Sequence, residues 1–284
     1  CMKNFSQKSK LKEQPVETEA MEQEPVTFTK DSMNLGAGLK GKVALITGGD
    51  SGIGQAVAIL YASYGIDCII VYYDEDKDAL YTVDKIESLG AKAKAIKGDI
   101  SNKSFCTELV ESVVNEFGKI DILINNASVQ YPQDKLEDIK EEQLVQTFAI
   151  NVFGMFYLTQ AALKYMKKGS QVINTSSVTA FRGSEHLVDY AATKAAIVGF
   201  TRSMAMQLAG KGIRVNAVAP GPILTPLIPA SFDAKHVKDF GKDTPMKRKG
   251  QPYEVAPSYL FLVLDSNSYM TGQVLHPNGG EIVS

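Results

Sequence analysis

The feature that most restricts the fold is a rhythm. From about residue 40 onward, short β-rich apolar runs alternate with helical patterns. The runs are "KVALITG" (42–48), "DCIIVYY" (67–73), "AKAIKGD" (93–99), "IDILINNA" (120–127), "SQVINTSS" (170–177), "IRVNAVAPG" (213–221) and "GQVLHPNGG" (272–280). Helical patterns fill the gaps over 53–64, 76–89, 102–117, 142–168, 190–210 and 252–264. Runs of this kind are buried on both faces, which suits a parallel sheet. Their alternation with helices predicts a single doubly wound α/β domain, a seven-stranded parallel sheet with helices on both faces. A chain of 284 residues with 44% hydrophobic residues has enough apolar side chain to fill such a core.

Two segments stand outside the rhythm. Residues 1–39 are polar, rich in Lys, Glu and Gln, and carry Pro15 and Pro25. Alone, such a segment stays largely disordered. It reads as an extension without chemistry, held by the domain surface or a neighbouring subunit, and 40–284 as the catalytic domain. The stretch 221–250, with Pro222, Pro226, Pro229 and Pro245, is a long irregular segment. In a compact domain such a segment often serves as a lid.

Bulk properties exclude several functions. A net charge of −2 argues against a nucleic-acid surface. No apolar run approaches the roughly 20 residues that cross a bilayer. The start "CMKNFSQKSK" lacks the apolar core of a signal peptide. Both point to a cytoplasmic protein. His186, His236 and His276 are scattered and read as surface or loop imidazoles. The cysteines have no metal-site spacing, and Cys68 reads as a small core hydrophobe.

"TGGDSGIG" (47–54) follows the first strand and opens the first helix, the context a dinucleotide site requires. Glycines let the backbone turn tightly, and the helix N-terminus offers free N–H groups to a pyrophosphate. At the end of the second strand, which reaches toward the adenosine ribose, stands "VYYDEDKD" (71–78). Asp74, and Asp50 in the glycine loop, would repel a 2′-phosphate and accept from a ribose hydroxyl. This favours NAD over NADP, although Lys77 is close by.

"DYAATKAA" (189–196) places Tyr190 and Lys194 on one helix face. Ser177 emerges at the carboxyl edge of the fifth strand, where ligands bind in open α/β folds. Asn151 interrupts an apolar helical pattern. A phenol with its ordinary pKa of about 10 is a poor base at neutral pH. A nearby ammonium and a cationic nicotinamide would favour its ionised form, and Tyr190 could then exchange a proton with an alcohol or carbonyl oxygen.

Taken together, these motifs resemble the short-chain dehydrogenases/reductases. The resemblance spans about residues 40 to 284. "TGGDSGIG" matches that family's cofactor loop, "NNAS" (125–128) its NNAG element, "YAATK" (190–194) its YxxxK, and "PGPILT" (220–225) its nicotinamide-contacting segment. Ser128 replaces the family's usual Gly. The resemblance implies catalytic roles for Asn151, Ser177, Tyr190 and Lys194. Tyr190 would be the acid/base, and Ser177 and Tyr190 would hold the substrate. Lys194 would bind the nicotinamide ribose and lower the Tyr190 pKa, and Asn151 would hold a relay water. Cofactor contacts are implied for Gly48, Asp50, Ser51, Gly52, Ile53 and Gly54, for Tyr73 and Asp74, and for Asp99 and Ile100 beside the adenine. Asn125, Ala127, Ser128, Pro220, Gly221, Ile223 and Thr225 complete that set, with Tyr190 and Lys194. No metal is implied.

The expected activity is alcohol–carbonyl interconversion with NAD, NADP being the lesser choice. The polar extension is similar to that of a bacterial general-stress or aldehyde-reductase-like subgroup. A homotetramer is expected, with helices 142–168 and 190–210 at one interface. Loops 129–140, 178–189 and 221–250 should select a small-molecule substrate, with Gln130, Arg182 and His186 as contacts. One alternative is an NADPH-dependent reductase of 3-oxoacyl chains on a carrier protein, which wants a basic docking patch such as "PMKRKG" (245–250). Another is a dinucleotide sensor without catalysis. An enoyl reductase is disfavoured by the Tyr–Lys spacing.

Overall fold

The computed structural model describes Gly36 and residues 38–281. Nearly all of the polar extension lies outside the described residues. The strands are β1 (Val43–Thr47), β2 (Asp67–Tyr72), β3 (Ala93–Lys97), β4 (Ile122–Asn125), β5 (Gln171–Thr175), β6 (Arg214–Val218) and β7 (Val274–Leu275). They form one seven-stranded sheet in the order β3-β2-β1-β4-β5-β6-β7, every neighbouring pair parallel. The order reverses between β1 and β4, which opens a crevice at their carboxyl ends.

The helices are α1 (Gly52–Ser63), α2 (Asp76–Ser88), α3 (Lys103–Phe117), α4 (Glu141–Phe148), α5 (Gly154–Ala162), α6 (Thr179–Arg182), α7 (Val188–Leu208), α8 (Leu227–Ser231), α9 (Ala234–Asp239) and α10 (Pro252–Val263). Alternate strand residues feed two cores. Ala44, Ile46, Ile70 and Ile124 pack under α1, α2 and α10. Val43, Leu45, Ile69 and Leu123 pack under α3, α5 and α7. The period of two along each strand thus fills both sides of the sheet.

Four expectations need correction. The helix predicted over 142–168 is two helices joined by a π-helical turn at Ala149–Phe153, and it ends at Ala162. The wider turn sits where Asn151 spends its side chain on the backbone of Val129. β3 is only half buried, because it is the sheet's edge. β7 is two residues long, since Pro277 cannot donate to a ladder and Gly279 and Gly280 turn away at positive φ. Finally, the segment 221–250 is not wholly irregular, because α8 and α9 lie inside it.

Candidate active site

The site is built from the β1–α1 turn upward. Gly48 and Gly52 adopt positive φ, at 61° and 54°. Gly54 has no room for a side chain, since a Cβ there would meet the Gly48 carbonyl oxygen at 1.9 Å. Ser51 caps α1 without a side-chain hydrogen bond, and the first turn carries no acid. Asn126 straps the turn down. Its Nδ2 donates to the carbonyls of Thr47 and Gly48, both at 3.1 Å, and its Oδ1 accepts from Thr175 at 3.2 Å.

Opposite, α7 carries the candidate residues Tyr190 and Lys194 on its buried face. Tyr190, Thr193, Lys194, Ile197 and Val198 are all buried, the i, i+3, i+4, i+7 stripe of a packed helix. Asp189 fixes the entry. Its Oδ2 accepts from Gln143 at 3.0 Å and Thr147 at 2.9 Å, both on α4. Thr193 donates to the Tyr190 carbonyl at 2.6 Å and accepts from Asn151 at 3.1 Å. Lys194 Nζ donates to the Thr175 carbonyl at 2.9 Å and lies 5.3 Å from the centre of the Tyr190 ring. Thr175 also meets Tyr259 of α10, oxygen to oxygen at 2.7 Å. Because the Thr175 hydroxyl donates to Asn126, the Tyr259 phenol is the donor in that contact.

Burial dominates the electrostatics. It pushes the Tyr190 phenol up to about 12, with the Ser177 hydroxyl pulling the other way. It lowers the Lys194 ammonium to about 7. In the protein alone, desolvation thus raises the phenol, the opposite direction to the lowering by the ammonium that was expected. Burial likewise raises the Asp50 carboxyl, opposed by a hydrogen bond from its own backbone N–H and then by the Ser51 hydroxyl.

A cavity of about 970 Å³ joins these parts. Its walls include the predicted Gly48, Ser51, Gly52, Ile53, Ala127, Ser128, Ser177, Tyr190, Lys194, Pro220, Gly221, Ile223 and Thr225, and also Gln130, Arg182 and His186. Asp50, Gly54, Tyr73, Asp74 and Asp99 are not among its lining residues. Ile100, Asn125 and Asn151 border a separate small hollow beneath it. Asn125 turns inward, donating to Thr159 and Asn174. Its neighbour Asn126, just past the end of β4, lines the cavity instead.

Beside Asp74, where the ribose was expected, stands a cation that the sequence did not announce. Lys97, from the end of β3, lies 2.7 Å from Asp74 and 3.2 Å from Asp76. It comes from a neighbouring strand, so local sequence around Asp74 does not show it. A nicotinamide dinucleotide fits the arrangement: positive-φ glycines and uncapped N–H groups face one end of the cavity, and Tyr190 and Lys194 the other.

Comparisons with known proteins agree. A family model described as Enoyl-(Acyl carrier protein) reductase matches residues 48–281. General stress protein 39 of Bacillus subtilis is 54% identical over 246 residues, 87% of this chain and 86% of that protein. The chloroplastic NADPH-dependent aldehyde reductase 1 of Arabidopsis thaliana is 51% identical over 286 residues, 98% of this chain and 99% of that protein. A crystal structure of a short-chain dehydrogenase from Burkholderia cenocepacia in complex with NADP superposes with a TM-score of 0.81. It is 34% identical and covers 85% of this chain and 98% of its own. The chain belongs to the short-chain dehydrogenase/reductase family of NAD(P)-dependent oxidoreductases, enzymes that interconvert alcohols with aldehydes or ketones.

Proposed function

We propose that Tyr190 is the acid/base of this interconversion, exchanging a proton with the substrate oxygen while Ser177 holds that oxygen in place. One observation carries the reading: Tyr190, Ser177 and Lys194 border the same cavity as the glycine turn. When bound, the nicotinamide supplies hydride transfer. Gly48, Ser51, Gly52 and Ile53 would hold the dinucleotide, with Ala127, Ser128, Pro220, Gly221, Ile223 and Thr225 along its length. Lys194, anchored on the Thr175 carbonyl, stands close enough to Tyr190 to bias its proton when charged. Asn151 acts by position. Its amide is spent on Val129 and Thr193, which ties the π-helical turn to the Tyr190 helix. The reading assigns catalysis to 40–284, with 221–250 as the lid.

Both NAD and NADP are proposed as cofactors. Asp74 supports an unphosphorylated ribose. Lys97 offsets its charge and supplies a cation for a 2′-phosphate, in line with the NADPH-dependent relative. A homotetramer is supported by exposed apolar residues on α4, the π-helical turn, α5 and α7: Leu144, Val145, Phe153, Phe156 and Met206. Reduction on a carrier protein is less well supported. In the basic run considered for docking, Arg248 is paired with Glu254 and Lys249 bonds the Val237 carbonyl.

Tyr190→Phe tests the assignment. Turnover should fall by about 10²–10⁴-fold, while nucleotide binding, read by fluorescence titration, persists. Near-normal turnover would remove Tyr190 from the role.

A further inference from the structure

The cavity beside Tyr190 is walled in part by the segment after β4 and by α8. Gln130 stands in that wall and is only 6% exposed. Its Nε2 donates to the Ser231 hydroxyl at 3.2 Å. Ser231 in turn donates to the Leu227 carbonyl at 2.7 Å. The hydroxyl's one proton is therefore engaged, and toward Gln130 it acts as acceptor. This fixes the carboxamide, with nitrogen toward α8 and oxygen away from it. Among the described residues no donor reaches the Gln130 Oε1, yet protein does not seal that atom in. Gln130 is one of the residues that line the cavity. The same lining includes the apolar Leu187, Ile223 and Ile228 and the polar Ser128, Ser184 and His186. A fixed acceptor discriminates between ligands, because leaving it without a donor carries a desolvation cost.

We propose that Gln130 Oε1 accepts a hydrogen bond from a hydroxyl of the substrate, making Gln130 a specificity residue. The enzyme then favours hydroxylated aldehydes and polyols over plain alkyl aldehydes and alcohols of equal length. This rests on the reading of Tyr190 as the acid/base of carbonyl reduction. Ser231 makes the lid segment part of the same device, since α8 holds the amide in its orientation.

The test compares glyceraldehyde with propanal, which have equal carbon chains and differ in hydroxyls, using NADH and NADPH in turn. The wild type should show the higher kcat/KM for glyceraldehyde. Gln130→Met, which keeps the length and removes the acceptor, should lower that value by about 10-fold and leave propanal within about 3-fold. Ser231→Ala leaves Oε1 present but unclamped, and should lose part of the preference. Thermal unfolding of both variants shows that they are folded. A glyceraldehyde-to-propanal ratio unchanged in Gln130→Met overturns the proposal. So does a weakened nucleotide Kd with the ratio intact, which would give Oε1 to the nucleotide. If the wild type turned over neither aldehyde, nor glycerol or propanol in reverse, the carbonyl reading itself would fail; turnover with an indifferent ratio sinks the Gln130 proposal alone.

Discussion

The two ends of the crevice are built on different physics. At the end proposed for the reaction, Tyr190 is 8% exposed and Lys194 2% exposed. Hydrogen bonds run from Lys194 through Thr175 to Tyr259 and Asn126, buried except at Asn126, which lines the cavity. At the ribose end, Asp74 and Lys97 meet across solvent with side chains 73% and 46% exposed. Burial makes every proton at the first end costly to misplace, because desolvation and unpaired groups are expensive there. The second end is screened by water and salt, and its pairs carry little free energy. Such a division suits an enzyme whose chemistry is fixed while its choice of nucleotide is adjustable by surface charge.

The sharpest way to probe that contrast is the stability of the protein against pH. Burial holds the Lys194 ammonium at about 7 in the folded chain, against 10.5 for an ordinary lysine. Between those values the unfolded chain binds the extra proton and the folded chain does not. Stability therefore rises as pH climbs from about 7 toward 10. The charged form, and its burial cost, is fully present below 7. Tyr190 works in the opposite sense at higher pH. Its phenol, at about 12 when folded, stays protonated where the unfolded chain has already ionised, so stability falls above about 10. Urea unfolding of the nucleotide-free protein should show wild type gaining on the order of 3 kcal/mol over Lys194→Met between pH 7 and 10. Parallel pH profiles for the two proteins would mean that Lys194 is not desolvated as the structure has it.

A smaller effect is expected one bond further from the reacting atoms. Tyr259→Phe removes the donor to Thr175 and leaves the ring in the core beside Tyr61. Loss of one buried hydrogen bond should cost about 1–2 kcal/mol in stability. Thr175 keeps Asn126, and Lys194 bonds the Thr175 carbonyl rather than its hydroxyl. The expectation is a lower Tm with kcat changed by less than about 3-fold. A large fall in kcat without loss of stability would make Tyr259 part of the proton-handling network.

The same contrast explains what the sequence made legible. The strand–helix rhythm and the Tyr190–Lys194 spacing are local, and local spacing reads directly as a helix face or a sheet order. Ser177 and the glycine turn follow from where strands end. Of the NNAS residues expected along the groove, Ala127 and Ser128 line the cavity, while the Asn125 side chain is spent on Thr159 and Asn174, contacts 34 and 49 positions away that leave no local signal. Lys97 reaches Asp74 from the adjoining strand, 23 positions on, and Ser231 meets Gln130 from 101 positions away. Neither pair leaves a local signal. The π-helical turn around Asn151 appeared in sequence only as a polar break in an apolar run.

At the exposed end the comparison is put to its mildest test. Lys97 is held between Asp74 and Asp76, whose carboxylates favour its charged form. With Lys97 present, the acids at the end of β2 are partly neutralised, and a 2′-phosphate meets a cation as well as carboxylates. Lys97→Ala removes the cation and leaves both acids. The kcat/KM with NADPH should then fall several-fold relative to NADH, since uncompensated carboxylates repel the phosphate and only accept from a ribose hydroxyl. The difference should shrink as salt rises toward 1 M, where screening reaches about 3 Å. Unfolding should be unchanged within error, as exposed ion pairs contribute little. An NADPH-to-NADH ratio that ignores both the substitution and the salt would mean that Lys97 lies outside the nucleotide's reach. Selection would then rest on Asp50, the buried acid of the glycine turn.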